Sequence, residues 1–147
     1  MIRGNSSPID AAIALYRAEM IDIEKVSSAT GVKLALDAAH STNYFHVFRG
    51  RGDPNSAFTD VECRIARPDA SSKGALVNLG INQASAPSGA EVISRLGQPH
   101  DVQVSPPEAQ ATGSTTYVYE TSGGELRFAI KGGTSDAVLS VAISKSK

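Results

Sequence analysis

The chain has 147 residues, of which 41% are apolar and 20% are charged, a balance typical of one globular domain. Its formal net charge is −1 and the charges are scattered, which argues against a nucleic-acid-binding protein and against a polybasic membrane anchor. No apolar run approaches the ~20 residues that span a bilayer. We therefore expect one soluble domain over residues 1–147, with no membrane span.

The sequence leaves the cellular compartment open. Cys63 is the single cysteine, so no intramolecular disulfide can form, which fits a cytosolic protein but also many periplasmic ones. Residues 1–7 are polar and lack the apolar segment of a signal peptide. If Met1 is the native start we expect a cytoplasmic protein, and if a leader has been removed we expect a periplasmic one.

Two short helices are predicted at the start of the chain. Ser7 and Pro8 suit the beginning of a helix over residues 8–20, and four residues at helical spacing form its apolar stripe: Ile9, Ile13, Tyr16 and Met20. Asp22 can cap a second helix, which Gly31 would end. The next segment, residues 32–42, combines strand-like alternation with an alanine-rich composition, so its conformation stays open.

From Asn43 the sequence period changes to two, which predicts strands over residues 43–49, 57–66 and 75–82. Turn-forming residues separate these strands at 50–55 and 68–74. The alternation assigns one set of side chains to an inner face: Val61, Cys63, Ile65, Val77, Leu79 and Ile81. It assigns another set to the outer face: Tyr44, His46, Phe48, Asp60, Glu62 and Arg64.

The second half repeats this order. Ser88 and Glu91 form a capping box before a helix that Gly97 ends. Residues 100–114 are polar and contain two adjacent prolines, which indicates a long connection. Three more strands are predicted over 115–121, 125–131 and 137–144, with a turn at 132–136.

We therefore predict an α+β fold, a predominantly antiparallel sheet with short helices on one face. The order of elements suggests an (α-β-β-β)x2 pseudo-repeat over residues 21–82 and 88–144, preceded by the first helix.

Four segments carry a resemblance to a known family: Leu96-Gly97-Gln98-Pro99-His100, Tyr117-Val118-Tyr119, Leu126-Arg127-Phe128-Ala129-Ile130 and Val138-Leu139-Ser140-Val141. Residues 91–143 resemble the helix-plus-hairpin module of small outer-membrane assembly lipoproteins, which is repeated in tandem in inhibitors of the β-lactamase inhibitory protein type. The first half departs from this pattern, because no proline follows Gly31 and the chain has no Trp. The resemblance implies a protein that binds another protein.

The sequence offers few groups for catalysis or metal binding. His40, His46 and His100 have no metal-ligand spacing and Cys63 has no cysteine partner, so we expect no metal and no cofactor. A Cys63–His46 nucleophile pair is disfavoured, because the predicted strand phases put the two side chains on opposite faces. Buried cysteines usually act as inert small hydrophobes.

Two further motifs each have a simpler explanation. Asp60 and Glu62 could act as acid and base, but a solvated sheet face also explains them. The tripeptide Arg51-Gly52-Asp53 occurs in adhesion ligands, but here it has the composition of a turn.

The outer sheet face is the predicted partner-binding surface, because exposed aromatic and arginine side chains are typical of binding sites. Its expected anchors are Tyr44, Phe48, Arg64, Tyr117, Tyr119 and Arg127. The opposite phase for Tyr117 and Tyr119, with both packed under the helix, stays open.

The leading hypothesis is a non-catalytic protein-binding module of the inhibitor or toxin-immunity kind. An envelope assembly or scaffolding protein and a small enzyme of unrecognised type are the alternatives. The sequence does not determine the oligomeric state.

Overall fold

The computed structural model describes residues 7–67, 74–105, 114–121, 123–132 and 136–145. Its helices are α1 (Pro8–Arg17), α2 (Ile23–Thr30) and α3 (Gly89–Leu96), with a 3-10 turn at Gln83–Ser85. Its strands are β1 (Ala35–Leu36), β2 (Phe45–Arg51), β3 (Phe58–Ala66), β4 (Ala75–Ile81), β5 (Asp101–Ser105), β6 (Ser114–Thr121), β7 (Gly124–Lys131) and β8 (Val138–Lys145). The predicted α+β fold with a mainly antiparallel sheet is confirmed.

Side-chain caps explain where the helices begin. Ser7 Oγ accepts a hydrogen bond from the Ile9 N–H at 3.2 Å and precedes α1. The carboxylate of Asp22 caps α2 through the Lys25 N–H at 2.8 Å, and Ser88 Oγ caps α3 through the Glu91 N–H at 3.1 Å. Such caps satisfy N–H groups that have no partner inside the helix.

Helices α1 and α2 end for different structural reasons. Gly31 ends α2 in the left-handed region, with φ of 71°, a conformation that glycine adopts without steric cost. Helix α1 ends at Arg17 rather than at residue 20, because Ala18 is already extended. Met20, predicted to extend the apolar stripe, is exposed, whereas Ile9 and Tyr16 of that stripe are buried.

The eight strands of the described residues form one antiparallel sheet in the order β1-β2-β3-β4-β8-β7-β6-β5. The order is symmetric about the central β4–β8 pair. On each side of that pair, a helix is followed along the chain by four strands that run outward to inward. This is the topology that a duplication would produce, with one strand more in each half than the sequence predicted. The pseudo-repeat over 21–82 and 88–144 stays a prediction.

The additional strands lie at the two edges of the sheet. Residues 101–105, predicted as part of a long connection, form β5 and pair with β6, with Val102 across from Tyr117. The prediction was wrong here, because Asp101-Val102-Gln103-Val104 alternates polar and apolar side chains and β6 offers a partner. Residues 106–113 of that connection lie outside the described residues, as do most of the predicted turns at 68–74 and 132–136.

The three helices pack on one face of the sheet, which we call the helix face. The core lies between the helices and the sheet. Its largest fully buried side chains include Ile9, Leu15, Val26, Phe58, Leu79, Val92, Leu126, Phe128 and Ile143. The predicted inner phases of β3 and β4 are confirmed, since Val61, Cys63, Val77 and Leu79 are all buried. No described helix packs on the other face, which we call the open face. Within the described residues, no helix combines the length and the apolar character that a membrane crossing requires.

Candidate functional site

The cross-strand register assigns the aromatic side chains of β2 to a face, because paired residues of an antiparallel ladder point to the same side. Phe48 pairs with Cys63 and His46 pairs with Ile65, so both lie on the helix face. Phe48 packs against the core there, with its ring centroid 6.3 Å from that of His46. The predicted outward orientation of Phe48 was therefore wrong. Tyr44 lies just before β2 and is exposed.

Tyr117 and Tyr119 also lie on the helix face. Their prediction as anchors on the outer face was therefore wrong. They pair with Phe128 and Leu126 of β7. Tyr119 is buried, its hydroxyl donates to the Gly97 carbonyl at 2.8 Å, and its ring meets Phe128 edge to face at 6.1 Å. Burial raises the pKa of Tyr119. The alternative phase, with both tyrosines packed by the helix that Gly97 ends, is the observed one.

Tyr117 has a direct structural role near the start of α3. A Cβ atom placed on Gly89 would lie 3.2 Å from the Tyr117 hydroxyl, so the ring sits close against the helix backbone. Its side chain is partly buried against the core. Three of the six predicted anchors thus lie on the helix face instead of the open face: Phe48, Tyr117 and Tyr119.

The two predicted arginines do lie on the open face, on opposite sides of the central pair of strands. Arg64 of β3 is between Val47 and Leu76, and Arg127 of β7 is between Val118 and Ala142. Each donates to a carboxylate of its own strand, Glu62 for Arg64 and Glu125 for Arg127, and each belongs to a polar cluster in its own half of the sheet.

The first cluster is built around Glu62, whose side chain is largely buried although it lies on the open face. Its carboxylate accepts from Arg49 Nη2 at 3.0 Å, from Arg64 Nε and Nη2 at 3.3 Å, and from Asn78 Nδ2 at 3.4 Å. Arg49 Nε also meets Asp37 Oδ2 at 3.0 Å. The sequence-based reasoning missed Arg49, because it gave β2 the wrong phase.

Asp37 links this cluster to the segment before β2. Its Oδ2 lies 2.7 Å from His40 Nδ1. Desolvation acts to raise the pKa of Asp37, but the hydrogen bonds and charge of His40 and the charge of Arg49 outweigh it, so the pKa lies below its usual value. Asp37 therefore stays ionised and holds Arg49 in place near neutral pH.

The second cluster surrounds Arg127. Its Nε donates to Glu125 of the same strand, and its Nη1 donates to Gln103 Oε1 of β5 at 3.0 Å. The hydrogen bond to Glu125 is the main cause that raises the pKa of Arg127. Gln103 lies in β5, a segment that was predicted from the sequence to be part of a long connection. The contact between Gln103 and Arg127 could therefore not be expected from the sequence.

Mostly small side chains separate the two clusters, together with Leu76 of β4, which lies between Arg64 and Ser144. Strand β8 presents Ser140, Ala142 and Ser144 to the open face, and Ala129 of β7 lies beside Ser140. We call this strip and its two flanking clusters the open-face furrow. From β3 to β7 it spans three interstrand spacings, roughly 14 Å. At one end Gly80 lies under Asp60, since a Cβ on Gly80 would be 2.3 Å from the Asp60 carboxylate.

The structure also shows where the residues considered for catalysis or metal binding lie. Cys63 is fully buried, and burial raises its pKa to about 12, so the thiolate does not form near neutral pH. The prediction that His46 points away from Cys63 was wrong, because both lie on the helix face. Across the described residues, no three or more His, Cys, Asp or Glu side chains come together in a way that could hold a metal ion.

The two remaining motifs have structural partners. Glu62 is shared by Arg49 and Arg64, and Asp60 accepts from Thr59 Oγ1 at 2.9 Å. In the tripeptide at 51–53, the Asp53 carboxylate accepts from the Asn55 N–H at 2.8 Å, which is the hydrogen bond of a local turn.

The chain matches no protein-family model, no curated protein and no solved structure. The resemblance of residues 91–143 to the module of assembly lipoproteins and β-lactamase inhibitory proteins therefore stays a prediction.

Proposed function

We propose that this chain is a non-catalytic protein-binding module of the inhibitor or toxin-immunity kind, which holds a segment of its partner in the open-face furrow. The observation that carries the proposal is the furrow itself, a strip of small residues between two arginine clusters on a face that no described helix covers. The resemblance of residues 91–143 implies the same class of function.

The arginines of the furrow are suited to binding because they are already ordered. Arg64 is held by Glu62, and Arg127 is held by Glu125 and Gln103. Ordering a long side chain on binding costs roughly 0.5–1.5 kcal/mol, and a side chain that is already held in position loses less. Arginine is also over-represented among the residues that contribute most to protein–protein affinity.

The dimensions of the furrow favour a narrow segment of a partner over a flat surface. Ser140, Ala142 and Ser144 are half-buried and short, so a partner backbone can approach the sheet closely between the clusters. A helix with its side chains is about 10–12 Å wide, which is less than the roughly 14 Å between the backbones of β3 and β7. Acidic groups on that segment would meet Arg64 on one side and Arg127 on the other.

The experiment compares partner capture by the wild-type chain with capture by furrow variants. The chain is immobilised and exposed to extract and culture supernatant of the organism that encodes it. Bound proteins are quantified by mass spectrometry, and affinity for the recovered partner is then measured by calorimetry. Ala142→Arg fills the furrow, while Arg64→Ala and Arg127→Ala each remove one anchor. Truncating a true anchor should cost at least ~2 kcal/mol, about thirtyfold in affinity.

Arg95→Ala is the matched control. Arg95 forms an ion pair with Asp10 in the helix layer, and its side chain is 48% exposed, as is that of Arg64. The control should bind like the wild type. Equal capture of the same partner by the wild type and by all three furrow variants would refute the proposal, and so would the absence of any captured protein.

A further inference from the structure

The two edges of the sheet differ in how they are protected. At one edge, β1 has only two residues, and the Asp37 N–H continues its pairing with β2 by donating to the Val47 carbonyl at 2.7 Å. At the other edge, β5 has five residues, and no described segment pairs with its outer side. A strand edge of this length without Pro or Lys is a template for pairing with another chain.

Strand β5 also presents apolar side chains to solvent. Val102 and Val104 are 48% and 70% exposed, and their pairing with Tyr117 and Thr115 puts them on the helix face. Asp101 and Gln103 point to the open face. The strand therefore has an uncovered apolar side on the helix face and a polar side on the open face.

We propose that the occupant of this edge is a second copy of the same chain, paired antiparallel through β5 about a two-fold axis at Gln103. The sequence of the strand, Asp101-Val102-Gln103-Val104-Ser105, is nearly palindromic. In that register Val102 of each copy lies across from Val104 of the other copy. The four valines therefore form one apolar cluster. Asp101 faces position 105 instead of a second Asp101, which avoids like charges across the ladder.

The backbone geometry permits this register. The Val102 N–H donates to Asp101 Oδ1 at 2.9 Å, a local hydrogen bond that pairing with the second copy would replace. Since N–H groups alternate in direction along a strand, those of Val102 and Val104 point to the free edge. These are the two residues that exchange hydrogen bonds in the proposed pairing. A two-fold contact of this kind closes on itself and forms a dimer instead of an open fibre.

The contact is small, well below the ~1,000 Å² of a stable interface, so we expect a weak dimer with a dissociation constant on the order of 100 µM. Sedimentation equilibrium of the full chain between ~10 µM and ~1 mM tests this. Val104→Lys should weaken association at least tenfold, since lysine blocks edge pairing. The protein should stay folded, because Val104 is 70% exposed. Leu36→Lys, at a residue 53% exposed on the opposite edge, should leave association unchanged. A monomer throughout the range, or a dimer insensitive to Val104→Lys, would overturn the proposal.

A cross-linking experiment tests the register independently. In the proposed pairing the two Gln103 positions face each other at a spacing that a disulfide can bridge. Gln103→Cys should therefore form a covalent dimer on mild oxidation, whereas Asp101→Cys should form much less. The buried Cys63 does not compete. Faster cross-linking of Asp101→Cys than of Gln103→Cys would overturn the proposed two-fold pairing.

Discussion

Arg127 and Phe128 are neighbours in β7 and lie on opposite faces of the sheet. Phe128 is fully buried on the helix face between Tyr117 and Val141. Arg127 is on the open face, where Glu125 and Gln103 hold it. The helix face is thus fixed by packing, and the open face is ordered by ion pairs and hydrogen bonds that leave it uncovered by any described helix.

The difference explains why aromatic side chains were poor markers of the binding surface in this protein. Phe48, Tyr117 and Tyr119 contribute their area to the core or its margin, whereas Arg49, Arg64 and Arg127 occupy the open face. Variants on the two faces should therefore separate stability from binding.

Phe128→Ala and Arg127→Ala form the sharpest pair. Phe128→Ala should lower the free energy of unfolding by about 3–5 kcal/mol, because it leaves a cavity in the core. Arg127→Ala should lower it by less than ~1 kcal/mol, because its ion pair is partly exposed. Urea unfolding followed by circular dichroism measures both. Similar losses for the two variants would contradict the assignment of faces.

Alkaline pH should destabilise the protein through Cys63. Burial raises its pKa from 9.0 to about 12, so the unfolded chain loses this proton before the folded chain does. The stabilisation is complete below pH 9 and is lost as the pH rises from 9 toward 12, at about 1.4 kcal/mol per pH unit. Between pH 9 and 11 the wild type should therefore lose about 2 kcal/mol more than Cys63→Ala. Parallel pH profiles for the two proteins would show that the Cys63 thiol is not buried as described.

Tyr119→Phe should have a smaller effect. It removes the hydrogen bond from the Tyr119 hydroxyl to the Gly97 carbonyl, which should cost about 1 kcal/mol of unfolding free energy. Tyr44→Phe is the matched control and should change stability by less than ~0.5 kcal/mol, because Tyr44 is exposed. A neutral result for Tyr119→Phe would mean that the hydroxyl does not anchor the end of α3.

The sequence predicted the orientation of a strand correctly where every second side chain is polar. In β3, Glu62 and Arg64 alternate with Val61 and Cys63, and only one phase buries the apolar set. Between Tyr44 and Phe48 both parities are apolar or aromatic, and Val47 is buried on the open face while Phe48 packs on the helix face. The alternation therefore contains no information on the phase of β2.

The same limit applies to β6, where Val118 is buried between two tyrosines. Strand β5 was missed for another reason, since an edge strand of five residues carries a weak periodic signal and two prolines follow it. Half of the open-face furrow depends on these elements. Arg64 and Arg127 could be predicted from the sequence, but Arg49 and Gln103 could not.

The accessibility of the open face, on which the account rests, can be measured directly by thiol labelling of Ala142→Cys. This variant adds a thiol to the floor of the furrow and keeps Cys63 under the helices. With an aromatic disulfide reagent at pH 8, we expect one thiol per native chain to react within minutes and the second only after unfolding in urea. The wild type should show no fast reaction. If neither thiol of native Ala142→Cys reacts before unfolding, the furrow is covered and the proposed binding surface is wrong.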